Sequence, residues 1–380
     1  MAPSERQYFI DWLRVTAVAL LVPFHTGMMF NFWDFHIKND TSSLIIHLQN
    51  AFLNTWHMPL FFFLSGASVW YALGFRSARE YIKERQLRLI VPLIFGMLVI
   101  VPPQVYLERL FRFQFEGSFF QFYPHIFNGI YPTGNLSWHH LWFLFYLFLH
   151  SLLALPLFLY LRSNRGSIIH KRISDFFSKP LPIYLLVIPF IIVQIAVGHS
   201  WPNGDQNLIG DLDNFFLHML VFIYGYFFCF NTVFWNTVQK NLWINMIGGM
   251  ICFFLGVYLY ETIAEGYLQS HPMAGAGMLA LHGVVFWFWL LAILGLGKRF
   301  LNFSGRLPKY ATEAALPFYI LHQTVIIILG FYIIRLHIGI YSKYFSIMVL
   351  SFICTLLVYD LMVKRIAVIR FVFGMRMKRK

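Results

Sequence analysis

The chain has 380 residues, of which 59% are hydrophobic, 20% aromatic and only 12% charged. A soluble domain carries about a quarter charged residues, so this composition excludes an ordinary cytoplasmic enzyme, a disordered chain and a fibre. It predicts an integral membrane protein. The net charge of +13 fits either an anionic partner such as nucleic acid or the enrichment of basic residues on the cytoplasmic side of membrane proteins.

Apolar runs long enough to cross a bilayer, about 20 residues each, follow one another along the chain. They are predicted as helices because runs such as 60–64 do not alternate as barrel strands would. In chain order the ten predicted spans are 9–31, 52–75, 89–108, 140–161, 180–198, 215–235, 242–261, 276–297, 312–334 and 345–364. The third is interrupted by Pro102 and Pro103. The predicted fold class is an all-α bundle of about ten membrane helices forming one domain, 1–380, with no separate soluble domain.

The basic residues divide unevenly if both termini are cytoplasmic. Only five of the 29 Lys and Arg then fall on the outer side, Arg14 lies within the membrane, and the others face the cytoplasm. The outer five are Lys38, Arg109, Arg112, Arg335 and Lys343. This asymmetry predicts cytoplasmic termini and accounts for the net charge without nucleic acid.

The three cysteines lie in apolar runs without a CxxC spacing, so we expect packing roles for them and no metal site.

Ionisable residues inside a bilayer are costly, so each is a functional candidate. Arg14 and His25 are eleven residues apart on the first span, which places them within ~20° on one helix face and roughly 16 Å apart along the axis. Asp11, three residues before Arg14, is expected to pair with it. The alternative is a structural ion pair beside a buried neutral histidine.

Further polar residues form an outer and an inner set. His57 opens the second span, and His140 with Trp142 opens the fourth. Imidazoles at one depth suit general-base catalysis, although a single one is usually an interfacial anchor. At the inner end of the third span, Arg85 and Arg88 either anchor the helix to lipid or bind phosphates of a cytoplasmic ligand.

The remaining polar residues of the spans receive smaller roles. His322, preceded by Glu313, lies in the middle of the ninth span. Asp360 is expected to pair with a basic neighbour such as Lys364. We expect helix-packing hydrogen bonds from the others, which are Gln194, His218 and His282.

Six stretches, taken in order, resemble motifs of the membrane acyltransferase type 3 family. They are Tyr8–Arg14, Arg14 with His25 after ten intervening residues, His57–Gly66, Arg85–Gln86–Leu87–Arg88 followed by Pro92, His140–Leu144, and Tyr319–His322. Each stretch alone is a weak indication, but the ordered set covers essentially the whole chain and is specific.

The resemblance implies ten spans and transfer of an acyl group from cytoplasmic acyl-coenzyme A to a hydroxyl of an envelope glycan or similar molecule. It implies that His25 is the base or acyl-handling residue and that Arg14, Arg85 and Arg88 engage the donor. Many members carry a WSLxxE motif at the fourth helix, but Phe145, Tyr146 and Leu147 follow Leu144 here, so that acid is absent. The residues around His57 and His140 resemble the branch with the glucan succinyltransferases, which makes acetyl- or succinyl-coenzyme A the expected donor.

The predicted site therefore has four parts. The catalytic residues are His25, Arg14 and Asp11; the donor-binding residues are Arg14, Arg85 and Arg88; the acceptor-side residues are His57, His140 and Trp142; and the supporting residues are Ser65, His322 and Glu313. Ser65 either relays the acyl group or only packs beside Gly66.

The expected location is a bacterial inner membrane, with membrane lipids, acyl-coenzyme A and a carbohydrate as partners and with self-association left open. The rival class is a transporter for a small anionic metabolite, and a third is a non-enzymatic membrane scaffold. The chain shows no repeat of paired broken helices, which many transporters have.

Overall fold

The computed structural model describes residues 7–197, 208, 210–263, 267 and 270–376. Over these residues the chain is helical and has no β-strand beyond one isolated bridge, Ile130 with Leu136. The principal helices are α1 Tyr8–Gly27, α2 Leu44–Ala72, α3 Ala78–Phe111, α4 Trp142–Leu153, α5 Leu155–Leu161, α6 Asn164–Phe177, α7 Ile188–Val197, α8 Leu212–Phe228, α9 Thr232–Lys240, α10 Leu242–Thr262, α11 Pro272–Phe300, α12 Arg306–Ile333, α13 Ile340–Val358 and α14 Ala367–Val372. The prediction of an all-helical fold is confirmed for this part of the chain.

The described helices include six that are long and apolar enough to cross a membrane: α1, α3, α10, α11, α12 and α13 with its extension to Val363. Three bent pairs, α4 with α5, α6 with α7, and α8 with α9, raise the number to nine if each pair is one span. The chain is thus a multi-pass membrane protein with six to nine candidate spans. The predicted count of ten and the cytoplasmic termini stay predictions.

Several predicted spans differ from the structure in shape, among them the fourth, 140–161, which is bent by 45° between α4 and α5. The sixth, 215–235, is bent by 112° between α8 and α9, because the side chain of Asn231 accepts hydrogen bonds from Val233 and Phe234 and starts a new helix. The third is continuous through Pro102, since two π-helical turns, Gln86–Ile90 and Gly96–Ile100, precede the prolines and absorb the loss of regular hydrogen bonds.

Two of the principal helices, α6 and the short α14, lie outside the predicted spans. Ser163 caps the amino end of α6 through a hydrogen bond from the Gly166 backbone. The helix carries basic residues, and several of its isoleucines are exposed. Such a helix is typical of a segment that lies at a membrane interface. It meets α7 at a bend of 109°.

The contacts divide the chain into two compact units. Unit A comprises the described parts of Met1–Arg14, Asn54–Ile82 and Leu149–Ser304, and unit B comprises those of Val15–Leu53, Lys83–Phe148 and Gly305–Lys380. In unit A, α2 and α8 approach so closely that a β-carbon on Gly66 would lie 1.9 Å from the Phe222 carbonyl oxygen. In unit B, α12 packs on α13 and on α3. The single domain 1–380 remains a prediction.

Candidate active site

Three histidines from distant parts of the chain meet in unit B. The ring of His25, on α1, lies 5.0 Å from that of His322, on α12. The ring of His140, in the helical turn His139–Leu141, lies 5.2 Å from that of His322. His140 and His322 are buried, while His25 is partly exposed. The structure therefore joins the predicted base to one predicted acceptor-side residue and one predicted supporting residue.

Backbone carbonyls fix the tautomers of two of these rings. His322 donates through Nδ1 to the Tyr319 carbonyl at 2.6 Å, and His140 donates through Nε2 to the Ile320 carbonyl at 3.0 Å. A carbonyl only accepts, so the other nitrogen of each neutral ring carries a lone pair. In the described part of the chain, no three His, Cys, Asp or Glu residues are arranged to hold a metal ion.

An apolar cavity of about 260 Å³ lies beside this cluster in unit B. Its walls come from Val15, Val18 and Ala19 on α1, from α12 between Leu307 and Phe318, and from α13. The ring of Phe318 is parallel to that of His322 at 6.4 Å. The cavity thus follows the segments of α1 and α12 that precede His25 and His322.

Arg85 and Arg88 lie on α3, also in unit B. Arg85 directly precedes the π-helical turn Gln86–Ile90, and Arg88 lies within it. Arg88 is 3.6 Å from Glu84, which also contacts Arg376 at 3.4 Å. Gly374, with φ +67°, lies so near that an added β-carbon would be 2.8 Å from the Arg88 carbonyl oxygen. The carboxyl-terminal segment therefore packs directly on this arginine motif.

Two hydrogen bonds of Arg14 lie within unit A. Arg14 donates to Asp11 at 3.2 Å, which confirms the predicted pair, and to the Ser68 hydroxyl at 2.9 Å. Ser68 was not among the predicted residues. Ser65, one turn earlier on α2, is partly exposed beside the closely packed Gly66.

The other predicted residues have structural contacts. His57, in unit A, is buried against the rings of Trp56 and Phe61, and Trp142, in unit B, packs on Tyr146. Glu313 pairs with buried Arg370 at 3.2 Å. The predicted pairing of Asp360 with Lys364 is confirmed at 3.2 Å, and Gln194 bonds His282 at 2.8 Å, as expected for packing residues.

A buried carboxylate lies near the histidines although sequence reasoning did not select it. Glu108, 1% exposed, is 2.5 Å from His36 Nδ1 and accepts from the Tyr131 hydroxyl at 3.2 Å. Burial and the Glu108 charge raise the pKa of Tyr131, so this phenol stays a donor. Burial acts to lower the pKa of Arg112. The negative charges of Glu108 and Asp34 act in the opposite direction, and the pKa of Arg112 is raised on balance. The sequence feature that could have indicated Glu108 is an acidic residue at the end of an apolar span.

The histidine cluster and the helical membrane fold agree with a comparison of the sequence with known families. Residues 7–363 match the acyltransferase type 3 family, described as "Acyltransferase domain". The chain belongs to this family, and it is therefore a membrane acyltransferase acting on oxygen.

Curated relatives of the chain include proteins named glucans biosynthesis protein C. The chain is 23% identical to that protein of Escherichia coli strain K12 over 346 residues, which cover 87% of this chain and 85% of the relative. It is 22% identical to that of Salmonella paratyphi B over 370 residues, which cover 93% and 89%. No solved structure matches the chain.

Proposed function

We propose that this enzyme moves an acetyl or succinyl group from cytoplasmic acyl-coenzyme A to a hydroxyl of an envelope carbohydrate on the outer side of a bacterial inner membrane. The observation that carries the proposal is the meeting of His25, His140 and His322 beside an apolar cavity in unit B. The name of the relatives, glucans biosynthesis protein C, makes a glucan the first acceptor class to test.

The donor would bind through charge and shape. Guanidinium groups bind phosphates through paired, charge-assisted hydrogen bonds, which suits Arg85 and Arg88 for the phosphates of coenzyme A. The acylated arm would follow the cavity along α12 toward His322. We assign Arg14, with Asp11 balancing its charge, to positioning the donor.

The chemical step needs one base and a carbonyl close to it. His25 takes the proton of the acceptor hydroxyl while the oxygen attacks the thioester carbon. The carbon–sulfur bond then breaks, the new ester forms, and coenzyme A leaves as its thiol after taking the proton from His25. His140 and His322 keep His25 in place as neutral neighbours. His57 and Trp142 are proposed to contact the acceptor.

The topology that we propose for the enzyme is ten spans with both termini in the cytoplasm. The six single spans and three bent pairs provide nine. We propose that α2, whose 29 residues are long enough, is the tenth.

Substitution of the central histidine tests the reaction. We expect His25→Ala to lower acyl transfer by about a hundredfold or more, because general-base catalysis contributes on this scale. The assay is transfer of radiolabelled acetyl and succinyl groups from their coenzyme A esters to a glucan by purified protein in detergent.

His150→Ala is the control, because His150 is also buried and bonds a backbone carbonyl, that of Phe215, but lies outside the cluster. It should cost stability and leave transfer per folded molecule near that of the wild type. Full activity of His25→Ala would remove His25 from the mechanism. Substrate counterflow in liposomes without any transfer would favour a transporter instead.

A further inference from the structure

A chain of buried hydrogen bonds lies near the histidine cluster in unit B. Which group donates in each bond can be worked out by starting from the backbone carbonyl at one end of the chain. The Ile100 carbonyl only accepts, so the Thr324 hydroxyl donates to it at 2.7 Å. With its hydrogen used, the same hydroxyl accepts from Gln104 Nε2 at 2.6 Å. The other amide atom of Gln104, its Oε1, is therefore an acceptor.

The next links follow from that assignment. Gln323 Nε2 donates to Gln104 Oε1 at 3.0 Å and to His36 Nε2 at 3.3 Å. Because His36 Nε2 accepts, the hydrogen of this neutral ring is on Nδ1, which donates to Glu108. The carboxylate, the imidazole and the two amides thus form one polarised chain.

This chain uses both amide hydrogens of Gln323 and leaves its oxygen as an acceptor. Gln323 is only 3% exposed, and its Oε1 has no hydrogen-bond partner among the described residues. A buried acceptor without a donor carries the full cost of its desolvation. The network holds the Gln323 amide in this orientation, so the oxygen is set to receive a hydrogen from a bound molecule.

The residues of this network are connected to the three histidines of the candidate active site by sequence adjacency and by ring contacts. Gln323 follows His322 directly. Phe35, next to His36, stacks on His25 at 6.3 Å. His139, next to His140, contacts the His36 ring at 4.5 Å.

The proposed binding regions for the donor and for the carbohydrate lie at different positions along the helices. Arg85 lies near the start of α3 and Glu108 near its end, roughly 35 Å apart at the rise of a regular helix. On α12 the cavity ends at Phe318, before Gln323. The network is thus at the end opposite the arginines that would bind the donor.

We propose that Gln323 Oε1 accepts a hydrogen bond from a hydroxyl of the carbohydrate that neighbours the reacting hydroxyl, and so determines which sugar position is acylated. This rests on the function proposed above. Gln323 is a positioning residue here, since the proton of the reacting hydroxyl goes to His25.

The test compares wild type and Gln323→Met with a glucan oligosaccharide and its monodeoxy analogues. Methionine matches the size of glutamine and lacks the acceptor oxygen. We expect one deoxy analogue to lower kcat/KM of the wild type by about tenfold, as for a hydrogen bond lost from a buried site. For Gln323→Met, kcat/KM with the same analogue should be close to kcat/KM with the unmodified glucan. The substitution should also raise the KM for glucan more than the KM for the donor.

The matched control is Gln49→Met. Gln49 also hydrogen-bonds within unit B, to Tyr344 and the Pro23 carbonyl, and it should keep the deoxy effect of the wild type. An equal deoxy effect in wild type and Gln323→Met overturns the proposal. If Gln323→Met does not fold, the wild type alone decides, because the absence of any deoxy effect also overturns it. Wild-type protein that acylates no carbohydrate refutes the proposed function instead.

Discussion

At the scale of single residues, the arginines differ in what surrounds them. Arg14 is held by Asp11 and Ser68, while Arg88 shares Glu84 with Arg376. Arg85 is partly exposed and lies just before a π-helical turn, a feature that is frequent at functional sites. These surroundings are compatible with the proposed donor-binding roles of the three arginines, which the following substitutions test.

We expect Arg85→Ala to raise the KM for acyl-coenzyme A by about tenfold and to change the KM for the glucan little. A charged hydrogen bond to phosphate contributes about 1.5–3 kcal/mol, which corresponds to this factor or more. Initial rates at varied donor and acceptor concentrations measure both constants.

Arg79→Ala is the control, because Arg79 is exposed on the same helix and should leave both constants unchanged. An effect of Arg85→Ala confined to the acceptor would mean that the donor phosphates bind elsewhere.

The sequence predicts contacts between residues that are close along one helix, and it misses those made by tertiary packing. The Asp11–Arg14 pair follows from a spacing of three residues. The bond from Arg14 to Ser68 joins residues 54 positions apart, so no local pattern indicates it. The same holds for Glu108 with His36, which only the packing of unit B brings together.

At the scale of helices, apolar length predicted most of the spans, but not where they bend. The run 215–235 contains no charged Asp, Glu, Lys or Arg, and the capping side chain of Asn231 marks where it bends. Small residues mark the close helix contacts more reliably. Gly66 on α2 and Gly225 on α8 each lie against a carbonyl of the other helix, from Phe222 and Phe63.

We expect Gly66→Ala to lower the free energy of unfolding by about 1–3 kcal/mol, because the new β-carbon would lie 1.9 Å from a backbone oxygen and must push the helices apart. Thermal unfolding in detergent, followed by fluorescence-detected gel filtration, measures the change.

The control for this prediction is Gly277→Ala on α11, where an added β-carbon meets nothing within 4 Å. It should be neutral or stabilise by up to about 1 kcal/mol. Equal effects of the two substitutions would contradict the contact between α2 and α8.

At the scale of the whole molecule, charge asymmetry predicts the topology and composition predicts the class of protein. Both predictions rest on the physical chemistry of the bilayer, because loops rich in basic residues stay in the cytoplasm and apolar runs enter the lipid. The number of spans is harder to predict from the sequence. It depends on whether each bent pair counts as one span and on whether α2 crosses the membrane.

We expect a membrane-impermeant maleimide to label Thr133→Cys in intact cells and to label Arg172→Cys only after lysis. Both positions are exposed, Thr133 in the segment after α3 and Arg172 on α6, and the proposed topology puts them on opposite sides. The measurement uses a background in which Cys229, Cys252 and Cys354 are replaced. The reverse labelling pattern would contradict cytoplasmic termini.

The hydrogen-bond chain that ends at the Ile100 carbonyl also bears on whether protons can pass through the buried polar groups of unit B. A proton wire needs links that each take up a proton and pass it on, and the primary amides of Gln104 and Gln323 do not do so near neutral pH. The terminal carbonyl only accepts. The chain therefore fixes the geometry of buried polar groups and provides no proton path, a property that the proposed binding of a hydrophilic sugar in an energised membrane requires.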